Sequence, residues 1–83
     1  MKQTINIEGF IKNIETEIFF GERRILPSTE FKKELDWDSM NAFLFMAMIE
    51  NQYSVILSDE DFRQSATIKD IFDLVSYRVN GKK

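Results

Sequence analysis

The sequence predicts an all-α fold, a small bundle of three main helices and one short helix with a long loop between the first and second. Three observations carry this. Apolar residues step by three and four in three separate stretches, cap-forming residues stand at the head of each, and a segment with the only proline separates the first stretch from the rest. With 83 residues, 43% hydrophobic and 13% aromatic, the chain has material for one core, and we read residues 1–83 as one domain. Near that size limit the eight Phe, one Trp and two Tyr matter, because large rings bury much area per ordered residue.

Residues 4–20 place Ile7, Phe10, Ile11, Ile14 and Ile18 on one helical stripe, with Thr4 as its expected N-cap and Gly21 as its stop. Residues 22–34 contain Pro27 and Ser28-Thr29 and read as a long loop ordered by Ile25, Leu26, Phe31 and Leu35. A second helix is expected from Ser39 to Tyr53, capped by Asp38, with Ala42, Phe45, Met46, Ile49 and Tyr53 turned inward. Its other side holds Phe43, Leu44 and Ala47 where a lone amphipathic helix has charges. That pattern fits either a centrally buried helix or a patch for a partner. Residues 54–57 read as extended. Ser58 with Asp61 forms a capping-box pattern opening a short helix to about Gln64, and Thr67 with Asp70 repeats it before a last helix of Ile68, Ile71, Phe72, Val75 and Val79. Asn80, Gly81 and two lysines end that helix.

Cysteine and histidine are both absent, which removes disulfides, thiolate sites, most zinc chemistry and the Ser-His arrangement of hydrolases. An unaided enzyme is not expected, and Ser39 has no imidazole to activate it. The first nine residues lack the apolar run of a signal peptide and no stretch reaches membrane-spanning length, so the expected place is the cytoplasm. The net charge of −3 conceals an asymmetry: residues 1–35 are balanced, residues 36–61 hold six acids and no base, and residues 62–83 are net positive. Such an acidic block disfavours nucleic acid and favours basic protein partners, unless it is only a solvated face. Asp36 and Asp38 also look like the start of a calcium loop. That reading fails, because the turn position is Asn41 rather than Gly and the final ligand position is Ala47 rather than Glu.

The run Leu35-Asp36-Trp37-Asp38-Ser39-Met40 places a serine at a helix head, after an acid and before an apolar residue. It resembles the Asp-Ser-Leu motif of the acyl carrier protein family, with Met40 in place of Leu. The resemblance continues without a gap over 35–75, through Met46 to Tyr53, Ile56-Leu57-Ser58-Asp59-Glu60-Asp61 and Thr67-Ile68-Lys69-Asp70. It implies a four-helix bundle of the acyl carrier type, a monomer, and a 4'-phosphopantetheine arm on Ser39, taken from coenzyme A by a phosphopantetheinyl transferase. A helix head suits a phosphodiester, whose charge is favoured by free N–H groups, although a serine there can equally be only a cap.

The resemblance further implies that acyl groups ride on the arm as thioesters and are presented to acyl-loading and acyl-processing enzymes of fatty-acid, lipid or polyketide-type biosynthesis. Docking candidates are Asp36, Asp38, Glu50, Asp59, Glu60 and Asp61, together with the apolar Met40, Phe43 and Leu44. Three departures point to a specialised member: Asp36 stands where the family usually has glycine, Leu44 where an acid is common, and Asn51 and Gln52 replace carboxylates. An aminoacyl carrier shares the motif, and a helical interaction domain without an arm shares the capped helices and acidic face.

Overall fold

Asn6 accepts the Gly9 N–H on its Oδ1 at 2.7 Å and thereby opens α1, Ile7–Asn13. This is seen in a computed structural model that describes residues 5–81, so the expected cap Thr4 lies outside the described residues. The helix does not run on to residue 20 in one geometry. Ile14–Ile18 forms a π-helical turn, in which Phe19 N–H reaches back to the Ile14 carbonyl, and Gly21 at φ 79° then ends the segment by donating to the Glu15 carbonyl at 2.8 Å. Phe10, Ile14 and Ile18 are the buried residues of the stripe.

The loop is shorter than expected, because α2, Phe31–Glu34, lies inside the predicted stretch. It has no side-chain cap at Glu30, so no local signal announces it. Ile25, Phe31 and Leu35 are buried as expected, whereas Leu26 is exposed. The Leu26 backbone N–H is held instead by Thr29 Oγ1, and Glu15 takes the Ile25 N–H at 2.8 Å, which pins the loop to the π turn.

α3 is Ser39–Tyr53, capped by Asp38, and its buried residues are Phe45, Met48 and Ile49. Ala42, Met46 and Tyr53 of the expected stripe are only half-buried, and Met48 joins the core because α3 packs on the π turn on one side and on α5 on another. Residues 54–57 are non-helical, with Val55 and Leu57 buried and Ile56 exposed between them, an extended alternation. α4, Asp59–Arg63, and α5, Ile68–Val79, both begin with complete capping boxes, Ser58 with Asp61 and Thr67 with Asp70. All regular structure among the described residues is helical, and no helix there is long and apolar enough to cross a membrane.

Phe31, Trp37, Phe45 and Phe62 form the centre of the core, with ring centroids 4.7 to 6.4 Å apart, mostly edge to face. At the other end Phe10 meets Tyr53 and Phe72, and Asn13 Nδ2 donates to the Tyr53 hydroxyl at 3.0 Å, joining α1 to α3. Arg78 at the end of α5 donates to both carboxylate oxygens of Asp61 at 3.1 Å and to the Ile56 carbonyl at 3.3 Å.

The capping boxes also set the response to acid. The N–H groups of Ala66 and Thr67 donate to the Asp70 carboxylate and hold it below the usual carboxylate range. A carboxyl whose folded pKa is depressed stabilises the fold above its unfolded value, near pH 4, and loses that contribution as pH falls through the folded value. Asp70→Asn is therefore expected to lower the melting temperature by a few degrees at pH 7. The gap between the two proteins should narrow as the pH falls below the usual carboxylate range, as thermal denaturation across pH will show.

Candidate functional site

Ser39 opens the first turn of the 15-residue α3 and is exposed. The helix starts there because Asp38 is extended and caps it: its Oδ1 accepts the Asn41 N–H at 2.8 Å and its carbonyl accepts the Ala42 N–H at 2.9 Å. Cap and serine are thus separate residues. The Ser39 hydroxyl and the N–H groups of Ser39 and Met40 have no partner among the described residues, which leaves a nucleophile and two oriented donors at the positive end of the helix.

The approach to Ser39 is held on both sides. Asn41 Nδ2 donates back to the carbonyls of Leu35 and Asp36, at 3.1 and 3.0 Å. Asp36 has φ 53°, in the left-handed region that favours glycine, and its carboxylate is paired with Arg23 at 2.6 Å, while Arg23 also donates to the Glu34 carbonyl at 2.9 Å. The backbone at this position therefore suits the glycine usual in acyl carrier proteins, and the aspartate is tolerated with a side-chain tie in exchange. Trp37, between Asp36 and Asp38, is half-buried on the Phe31, Phe45 and Phe62 rings, so the serine stands on the aromatic core.

The six acids of the middle block are not equivalent. Asp38 and Asp61 serve caps, and Asp61 is also clasped by Arg78 with its side chain only 18% exposed. Burial pushes the Asp61 carboxyl up, but hydrogen bonds from Ser58 and Arg78 outweigh it and hold the group below its ordinary value. Asp36 pairs with Arg23, and Glu60 with Arg63 at 2.9 Å. Glu50 and Asp59 are exposed with no ion pair among the described residues. Among the apolar candidates, Met40 and Phe43 are each 63% exposed. Leu44 is half-buried, packed against the core at the edge of a groove of about 570 Å³ that it shares with Glu17, Ile18, Ala47, Met48 and Glu50. Ser39 is not in that groove.

Ser39 lies instead in a second open groove, of about 410 Å³. Its apolar lining is Trp37, Ala42 and Phe62. Asp38 and Asp59 contribute negative charge to it, and Lys32 of α2 and Arg63 of α4 contribute positive charge. The two cations are missed by sequence reasoning. They flank the acidic block in the sequence, 31 residues apart, and only the tertiary fold brings them together beside Ser39, where Lys32 Nζ donates to the Arg63 carbonyl at 2.7 Å.

An exposed hydroxyl at a helix head, with no hydrogen-bond partner among the described residues, is open to receive a group and to hold it facing outward. Comparison with known proteins identifies the family. The family described as "Phosphopantetheine attachment site" matches residues 16–75, most of the chain. A protein named "Acyl carrier protein" from Thermosynechococcus vestitus (strain NIES-2133 / IAM M-273 / BP-1) is 20% identical over 79 residues, covering 95% of this chain and 98% of its own length. No solved structure matches. This chain belongs to the phosphopantetheine-attachment family, a carrier of the acyl carrier protein kind whose cofactor is covalently attached 4'-phosphopantetheine.

Proposed function

We propose that Ser39 is the attachment residue and that the protein holds acyl groups for partner enzymes of fatty-acid, lipid or polyketide-type biosynthesis. The observation that supports this is the exposed Ser39 hydroxyl, unpartnered among the described residues, at the head of a helix that Asp38 already caps. The arm, when bound, supplies a thiol on which acyl groups are held as thioesters. This is chemistry the cysteine-free chain cannot supply.

The chain's own part is to present and to be recognised. Free N–H groups at the head of α3 favour the negative charge of a phosphodiester on Ser39, and the aromatic cluster under Trp37 holds the helix head still. Met40, Phe43 and Ala47 lie at steps of three and four on the exposed side of α3, an apolar strip for a partner next to the arm. Glu50 and Asp59 are free to meet basic groups on that partner, while Asp36, Glu60 and above all Asp61 are already engaged within the fold.

Incubation with coenzyme A and a promiscuous phosphopantetheinyl transferase tests the reading. Intact mass is expected to rise by one phosphopantetheine, and an unchanged mass overturns it. The docking role has its own test. Glu50→Lys with Asp59→Lys leaves every cap in place and is expected to slow modification about tenfold at low salt and far less at high salt, because the Debye length shrinks to about 3 Å at 1 M. Equal rates for variant and parent at low salt would count against electrostatic docking.

A further inference from the structure

The groove beside Ser39 differs in charge from the block of sequence that surrounds the serine. Residues 36–61 contain no base, yet Lys32 and Arg63 both reach this groove from outside the block. Each is only partly engaged. Lys32 Nζ donates to the Arg63 carbonyl at 2.7 Å, and Arg63 Nη1 donates to Glu60 at 2.9 Å. An ammonium has three N–H donors and a guanidinium five, so both cations keep donors for an acceptor that shares the groove. Their position answers a specific electrostatic problem. A phosphodiester on Ser39 stands beside Asp38 and near Asp59, whose carboxylates repel it, and the two cations offset that repulsion where the helix N–H groups alone face two negative charges.

Size and lining agree with one occupant. A volume of about 410 Å³ falls at the lower end of the roughly 300–1,000 Å³ range of small-molecule clefts. Trp37, Ala42 and Phe62 give it an apolar surface, as a pantetheine chain with its gem-dimethyl group and amides needs. Resting on the assignment of Ser39, we propose that Lys32 and Arg63 hold the phosphodiester of the arm and that this groove shelters the arm against Trp37 and Phe62 between visits to enzymes. Exposed charge pairs shift such an equilibrium only a few-fold, so the sheltered arm remains in exchange with a free one and a docking enzyme can take it.

Trp37 is the only tryptophan in the chain and lines the groove, so it reports occupancy directly. The experiment compares acrylamide quenching of Trp37 in the protein without the arm and with it, mass gain having been verified first. Acrylamide is neutral, so the changed charge of the variants does not bias it. In the parent protein the quenching constant is expected to fall to roughly half when the arm is present, as for a partly occupied cleft. In the Lys32→Gln, Arg63→Gln double variant the fall caused by the arm should be clearly smaller. Equal constants with and without the arm in the parent overturn the proposal, as does an undiminished fall in the double variant. Absence of any mass gain overturns the Ser39 assignment and this inference together, whereas a modified protein with unshielded Trp37 overturns the groove alone.

Discussion

The Ser39→Ala protein is expected to gain no phosphopantetheine at all when treated with coenzyme A and transferase, an all-or-none effect read by intact mass. Its fold should be almost untouched. Asp38, not Ser39, provides the side-chain cap of α3, and the lost hydroxyl has no partner among the described residues, so the cost should stay within the roughly 0.5 kcal/mol typical of a surface change. A melting temperature matching the parent's, combined with complete loss of modification, separates attachment from folding. Retained mass gain would place the arm on another residue and remove the basis of the carrier reading at Ser39.

The largest effect on stability is expected from Phe45→Ala. Phe45 is fully buried and its ring meets those of Phe19, Phe31, Trp37 and Phe62. Truncating a buried Phe costs about 3–5 kcal/mol in lost transfer energy and residual cavity. At roughly 0.05–0.15 kcal/mol per residue, an 83-residue protein has only about 4–12 kcal/mol in all. The variant should therefore be partly or wholly unfolded at 37 °C, and Ser39 should lose its fixed position because Trp37 loses a ring beneath it. Chemical denaturation measures the first effect. A midpoint close to the parent's would show that the four-ring cluster is not what holds the helix head.

What the sequence made legible was governed by local chemistry. The starts of α3, α4 and α5 were readable because Asp38, Ser58 and Thr67 bind backbone groups three residues away, and the partners Asp61 and Asp70 are printed at that same spacing. α2 was not readable, since a four-residue helix without a side-chain cap is stabilised by the burial of Phe31 rather than by its own sequence. Apolar periodicity also cannot separate an α-turn from the π turn at Ile14–Ile18, whose geometry is tied to the Glu15 contacts with Gly21 and Ile25. At the site, Ser39 and its cap were visible in one short run. The acid block was visible only as a count: which acids are spent on caps and ion pairs, and that Lys32 and Arg63 converge on the serine, depends on contacts between distant segments.

The clasp of Arg78 on Asp61 and on the Ile56 carbonyl has a consequence for cooperativity. α4 has five residues, well below the roughly 12–15 that an isolated helix needs to persist in water, so its order is borrowed from α5 through that guanidinium and from the burial of Phe62. It is consequently expected to open at a lower free energy than α3 or α5, with its amides exchanging while theirs remain protected. Phe62 and Arg63 belong to this unit and also line the groove at Ser39. Whatever occupies the groove binds the closed form of α4 and not the open one, so occupancy and closure are linked by mass action, and filling the groove is expected to make this short helix firmer.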